Sequence, residues 1–346
     1  MDTTHRRSLS RREFGKLTLA GLPASWVLGS LPLSAGAKID SKFNGVQIGS
    51  ITYSFRGIPN AEDIIKAYVT IGLGEMELMS NHAEALAGAP SGRPSTGSGQ
   101  AGGGAGGGQG RGAGGGRATP TPEQVAAREA AAKALHDWRM AATEATFKPV
   151  RQKIADAGIT LRLLCYNMNV NNTKDDEIEY AFNMAKWLGV KAISTSTQVS
   201  MAKRVAPFAE KHKMMIGFHG HDQTDRTDEV STEETFKAVM AAGKYLGANL
   251  DIGHYTSANG DPVAFIKAHH DRITNLHVKD RKRDHGTNTP WGQGDTPIKD
   301  VLQLLRKEKW DIPANIEYEY GPANETPDQI IAEVKKCLQY CKDALA

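Results

Sequence analysis

The chain has 346 residues, enough for one large barrel or two medium domains. Its 42 basic and 39 acidic residues nearly balance, which argues against a nucleic-acid footprint, since that needs a basic face. Three cysteines, Cys165, Cys337 and Cys341, are too few and odd in number for a disulfide framework.

The first predicted element is an export signal. Ser10-Arg11-Arg12-Glu13-Phe14-Gly15-Lys16 precedes an apolar stretch over 17–33 and the small residues Ala35-Gly36-Ala37. Paired arginines, an apolar run and a small-x-small cleavage site are similar to a twin-arginine signal. The run is broken by Gly and Pro and falls short of the ~20 apolar residues of a membrane span. The expectation is therefore a signal over 1–37, a mature chain over 38–346 in the periplasm, and no stable span after cleavage. Removing 1–37 takes five basic and two acidic residues with it and leaves 37 of each.

From 46 onward, strand-like and helix-like stretches alternate. Short apolar runs predict strands at 46–52, 75–79, 160–166, 191–195, 214–219, 248–252, 273–278 and 314–318. Amphipathic stretches predict helices at 61–71, 122–157, 175–188, 200–212, 232–246, 262–269, 298–307 and 327–345. Ser231-Thr232-Glu233-Glu234 and Thr326-Pro327-Asp328 carry helix-opening chemistry. Gly158, Gly189 and Gly247 are expected just past helix ends, where a left-handed residue is needed. Cys337 and Cys341, spaced i, i+4 on the last helix, are expected to pack as small apolar residues.

This alternation fits a closed (β/α)8 TIM barrel, which typically spans ~250 residues. An open doubly wound sheet is the other arrangement, but Thr52-Tyr53-Ser54-Phe55-Arg56 after the first strand is not a Gly-rich phosphate turn. One segment breaks the rhythm: 88–122, after the second strand, is almost wholly Gly, Ala, Ser, Pro and Gln. Such a composition buries too little apolar surface to offset ordering entropy, so a disordered insertion is expected on the active-site face.

Four runs in the second half end in groups able to hold a metal: His219 and His221, Asp251, His277, and Glu317 with Glu319. Period two sends His219 and His221 the same way, and likewise His277 with Lys279 and Glu317 with Glu319. One donor from each of strands five to eight gives His219, Asp251, His277 and Glu317, converging at one end of a barrel. A mixed nitrogen and oxygen set points to a divalent ion (Mn, Co, Mg, Zn, Fe or Ni) rather than calcium. Spacing leaves open which of Glu317 and Glu319, and which of His219 and His221, is the ligand.

These segments resemble the xylose isomerase-like TIM barrels. The residues that carry the likeness are Asp251-Ile252-Gly253-His254, His277-Val278-Lys279-Asp280, Trp291-Gly292-Gln293-Gly294-Asp295 and Glu317. That superfamily includes sugar isomerases and epimerases, inosose dehydratases and isomerases, and DNA repair endonucleases. The resemblance implies metal ligands at an acid of strand five, Asp251, His277 and Glu317. Strand five departs from the pattern, since His219 stands where a Glu is common. His219-Gly220-His221 is similar to an H-N-H form found in some members, so the resemblance does not carry over the two-glutamate proton exchange of ketose epimerases.

The expected chemistry is proton abstraction α to a metal-bound carbonyl on an unphosphorylated sugar or cyclitol, giving isomerisation or epimerisation. A lyase or dehydratase acting on a keto-sugar or 3-keto-glycoside uses the same first step, and a non-catalytic carbohydrate-binding barrel is the non-enzymatic alternative. Glu317 or Glu319 is the expected base, with His221 or His254 as partner acid. Lys279, Glu77 and Trp291 are the expected substrate contacts, Trp291 as an apolar wall against a sugar ring.

Overall fold

The computed structural model describes residues 37–91 and 120–346. The expected signal, up to its last residue, and the insertion over 92–119 lie outside the described residues.

Eight parallel strands close into a barrel: β1 (Val46–Ile51), β2 (Glu75–Met79), β3 (Thr160–Cys165), β4 (Ala192–Thr195), β5 (Met215–His219), β6 (Leu246–Asp251), β7 (Ile273–Val278) and β8 (Ala314–Ile316). Each pairs with its sequence neighbours, and β1 pairs with both β2 and β8, so the sheet has no open edge. A two-residue strand, Lys42–Phe43, lies antiparallel against the start of β1. The helices outside the strands are α1 (Ala61–Ile71), α2 (Ser80–Leu86), α3 (Pro122–Ala141), α4 (Glu144–Asp156), α5 (Asp175–Leu188), α6 (Met201–His212), α7 (Glu233–Ala241), α8 (Ile252–Ser257), α9 (Pro262–His269), α10 (Ile298–Glu308) and α11 (Pro327–Leu345).

Alternation along the strands divides the core in two. Leu250, Leu276 and Ile316 are fully buried aliphatics, and residues alternating with them meet inside the barrel, Asn275 with Asn249, Asn275 and Asn315 with Glu77, and His277 with Glu317. The helices cover the apolar face. On α11, Val334, Cys337, Leu338 and Cys341 are all buried, so both cysteines pack as the i, i+4 spacing predicts, and all three thiols are free.

Local chemistry explains where the elements stop. Gly158 (φ 78°) and Gly189 (φ 73°) take the left-handed conformation past helix ends. Gly247 does not: it lies within β6, where an added Cβ would fall 2.2 Å from the Arg272 carbonyl oxygen. The helix expected over 232–246 accordingly ends at Ala241. The long helix expected over 122–157 is two helices, because Thr143 is extended (φ −137°, ψ 178°) and its N–H donates to Thr146 Oγ1 at 3.1 Å, opening α4. The strand expected over 314–318 stops at Ile316, although the Glu317 N–H still donates to the Val278 carbonyl at 3.0 Å. No helix among the described residues is long and apolar enough to cross a membrane.

Candidate metal centre

The sheet register sets the centre. His219 is opposite Asn249, and Asp251 and Asn315 are both opposite His277, so the ends of β5 to β8 lie at one level. His219, Asp251, His277 and Glu317 each bring a donor atom to within 4.8 Å of the others. His219 Nε2 lies 3.9 Å from Asp251 Oδ2, and His277 Nδ1 lies 3.2 Å from Glu317 Oε2. All four residues are buried, none more than 7 % exposed. His221 is outside the four, its ring 4.9 Å from that of His219.

These residues fit a divalent ion. His219 Nδ1, Asp251 Oδ2, His277 Nδ1 and Glu317 Oε2 are buried without a hydrogen-bond partner, whereas buried polar atoms are ordinarily satisfied. Two imidazoles and two carboxylates are a borderline donor set. Burial, then the neighbouring His277 and His221, push the His219 pKa well below the usual imidazole range and keep a nitrogen lone pair free. Burial, only partly opposed by Lys279, pushes Asp251 up to about 7. At Glu317 burial is outweighed by Lys279 and His277, which hold the carboxyl well below its usual range.

Lys279 balances part of this charge. Its ammonium lies 2.9 Å from Asp251, 3.0 Å from Glu317 and 2.6 Å from Glu319. Burial opposes the charge, but the three carboxylates raise its pKa well above the ordinary lysine range. Lys279 and Glu319 both line one cavity, together with His219, His277 and Glu317 of the four donors.

Glu77 has a different place from the one expected. It is fully buried beneath the four donors and does not line the cavity. Its Oε2 accepts from His277 Nε2 (2.9 Å), Asn275 Nδ2 (2.9 Å) and Asn315 Nδ2 (2.7 Å), and its Oε1 from the Ser194 hydroxyl. A carboxylate only accepts, so His277 Nε2 carries a proton and Nδ1 is the nitrogen turned to the centre. Carboxylate-oriented imidazoles of this kind are a common support for metal ligands. Glu77 thus braces His277 and is not among the lining residues of the cavity. The physical reason is depth: Glu77 reaches Asn275 and Asn315, which stand two residues before His277 and Glu317. Space for this layer comes from Gly49 and Gly217, where an added Cβ would meet Asn315 Oδ1 at 2.5 Å and Thr274 Oγ1 at 2.0 Å.

Around the mouth stand two histidines, each with a carboxylate. His221 Nδ1 is 2.5 Å from Glu229 Oε1, and its Nε2 is 3.4 Å from the Ser196 hydroxyl. His254 Nδ1 is 3.5 Å from Asp222 Oδ1. Burial, reinforced by Lys279, keeps the His254 pKa well below its usual value, so the ring is neutral. Both rings line the cavity, 5.4 Å apart, with Tyr53 and Asn167. Asp251 links the levels, since its Oδ1 accepts the His254 backbone N–H at 2.7 Å and caps α8.

Trp291 is not part of this cavity. It packs edge-on against Tyr340 of α11, ring centroids 5.7 Å apart, in a separate cleft beside Tyr320. The cause is Asp280, whose carboxylate accepts the N–H groups of Gly292 (2.8 Å), Gly294 (2.9 Å) and Thr296 (3.2 Å) and folds the loop outward. A Cβ at Gly294 would fall 1.9 Å from Asp280 Oδ1, so this wrap needs glycine. The third motif of the resemblance, Trp291–Asp295, is therefore a loop clasped by Asp280.

Sequence reading overlooked Asn249, Asn275 and Asn315, though a signal was present: each stands two residues before Asp251, His277 or Glu317. It also overlooked Glu229, Asp222 and Arg281, which loops bring to the mouth and no periodicity marks.

Comparison with known proteins adds three findings. The description xylose isomerase-like TIM barrel matches residues 125–341. An inosose dehydratase of Lactiplantibacillus plantarum is 27 % identical over 138 residues, which are 34 % of this chain and 45 % of that protein. The chain spans about half the length of the curated relatives it matches. Among solved structures, the probable 3-DHS dehydratase AsbF of Bacillus anthracis aligns with a TM-score of 0.55 at 15 % identity, over 85 % of this chain and 99 % of that one. The IOLI protein with a binding zinc atom aligns with a TM-score of 0.56 at 12 % identity, over 86 % and 98 %. At these identities the structural likeness speaks for the fold.

Proposed function

The chain belongs to the xylose isomerase-like TIM barrel family, and from that premise we propose that it is a divalent-metal-dependent lyase that removes a β-oxygen substituent from an unphosphorylated keto-cyclitol or keto-sugar. The observation that carries this reading is the pair His221 and His254, each beside its own carboxylate and both facing one cavity above the four-donor set. His219, Asp251, His277 and Glu317 would hold the ion. When bound, a divalent ion supplies Lewis acidity at a substrate carbonyl and favours loss of the adjacent proton.

The side chains then divide the work. His221, with Nδ1 tied to Glu229, offers Nε2 to the α-proton. Glu317 and Glu319 are clasped by the Lys279 ammonium, which weakens them as bases relative to His221. As the C–H bond breaks, its electron pair forms the new C=C bond and the β C–O bond releases its pair to oxygen. The departing oxygen takes the proton held by His221 and leaves as water or an alcohol, so no proton is gained or lost overall. His254 donates a hydrogen bond that holds this oxygen, and Lys279 contacts a substrate hydroxyl.

Substrate class follows from charge. Lys279 is the cation among the lining residues, and three carboxylates already engage it. With its ammonium so engaged, Lys279 leaves no free cation among the described lining residues to pair with an anionic group, which favours a neutral polyol over a phosphorylated or carboxylated one. The partial similarity to inosose dehydratases agrees with a keto-cyclitol.

Sugar isomerisation or epimerisation is the second reading, since Glu319 adds a second proton-transfer group to the lining. Mass spectrometry and proton NMR in deuterated water separate the readings, using metal-loaded protein with inosose and a panel of free 3-keto sugars. A product lighter by one water or alcohol supports the lyase. Deuterium uptake without mass loss selects the isomerase, and sugar binding without either overturns both in favour of a carbohydrate-binding barrel.

A further inference from the structure

Arg281 follows the clasped Asp280 and is buried at the mouth. Its Nε and Nη2 donate to the Gly286 carbonyl at 3.2 and 2.7 Å, and Nη2 lies 2.9 Å from Asp222 Oδ2. Its remaining terminal nitrogen, Nη1, donates to His254 Nδ1. Arginine carries donors and no acceptor. A guanidinium N–H aimed at Nδ1 therefore requires a lone pair there, and the ring proton of His254 must sit on Nε2. His221 shows the opposite arrangement: its Nδ1 faces the Glu229 carboxylate, which only accepts, so Nδ1 carries the proton.

We propose that Arg281 is a positioning residue that fixes the tautomer of His254, so that this ring presents Nε2–H to the substrate while neighbouring His221 presents a bare Nε2. The structure holds a competitor for the same ring nitrogen. Asp222 Oδ1 lies 3.5 Å from His254 Nδ1, and as an acceptor it favours the reverse tautomer. Arg281 decides the contest twice, by donating to Nδ1 and by engaging the other Asp222 oxygen, which Ser257 also contacts at 3.2 Å. Two histidines in one cavity would otherwise be chemically alike. With opposite partners they become one acceptor and one donor. The catalytic consequence rests on the elimination reading above, whereas the tautomer assignment does not.

The test is histidine-ring 15N NMR on the full zinc-loaded chain, with His254→Gln identifying the resonances. The expected native spectrum shows His254 protonated at Nε2 and bare at Nδ1. Arg281→Met should reverse this by letting Nδ1–H pair with Asp222, and Arg281→Lys, which keeps a donor, should restore the native pattern. Native His254 protonated at Nδ1 overturns the proposal, as does an unchanged tautomer in a folded Arg281→Met. Should Arg281→Met fail to fold, the native spectrum and Arg281→Lys still decide. Turnover is read separately: kcat should fall about a hundredfold in Arg281→Met with KM little changed, the scale of losing one oriented donor. A reversed tautomer with undiminished kcat would leave the proposal standing and count against the elimination role of His254.

Discussion

The two ends of the barrel each bury charge, in opposite ways. At the end where the strands begin, Arg162 lies 3.7 Å from Glu75 and 3.0 Å from Asp311, and Lys191 lies 3.4 Å from Asp311. Two cations meet two acids there. At the end where the strands finish, Glu77, Asp251, Glu317 and Glu319 face Lys279 and His277, with four buried donor atoms lacking hydrogen-bond partners. Burial is costly for Glu75 and Arg162 at the first end, where Lys191 and Asp311 stay exposed, and for the acids around Lys279 at the second. Solvent and Arg162 offset this cost in part at the first end, where Glu75 still keeps one buried oxygen unpartnered, whereas the second gathers more acids than lysines around one point, which suits a further cation. An imbalance of charge, more than its amount, distinguishes a site from a strut.

Substitutions should break this contrast in a graded way. Glu317→Gln removes a direct donor, and bound zinc or manganese, measured on dialysed protein by elemental analysis, should fall well below one equivalent. Loss of a supporting partner of a metal ligand costs ~10–100-fold in affinity or activity, so turnover here should drop by more than that; full metal content with normal turnover would remove Glu317 from the centre. Glu77→Gln leaves every direct donor in place but ends the carboxylate's hold on His277 Nε2. Metal affinity, followed by competition with a chelating dye, should weaken ~10–100-fold, and an unchanged affinity would reduce Glu77 to packing.

The balanced end should answer to pH instead. Burial, partly offset by Arg162, pushes Glu75 up to about 7. Its folded pKa thus exceeds its ordinary value of 4.5, so the native fold binds the proton more tightly and loses stability as pH rises between those values. Glutamine mimics the protonated carboxyl. Glu75→Gln should match the native protein below pH 4.5 and exceed it above pH 7 by about 1–3 kcal/mol in urea unfolding, with metal binding untouched. A parallel pH profile in both proteins would show that Glu75 is not strained by burial.

The barrel was readable because its strands alternate strictly and several boundaries are marked by capping residues or glycine. Glu75–Met79 and Ile273–Val278 begin and end where the apolar runs do. The centre was readable because His219, Asp251, His277 and Glu317 fall at strand ends, where period two fixes direction. Glu77 was misplaced because alternation gives a residue's face but not its depth along the axis. Trp291 was misplaced because the path of its loop depends on Asp280, whose three accepted N–H groups are set by backbone shape. Arg281 was invisible for the same reason, since it reaches His254 across 27 residues of sequence through a loop.

Asp251 has a double duty that limits how the centre coordinates. One oxygen is committed to the His254 N–H at the start of α8, and removing such a cap costs about 0.5–2 kcal/mol. Asp251 would therefore offer a bound ion its other oxygen, Oδ2, while Oδ1 keeps the turn that carries His254. An ion held in this way would have room for a guest molecule, beside the His254 ring that the same turn carries.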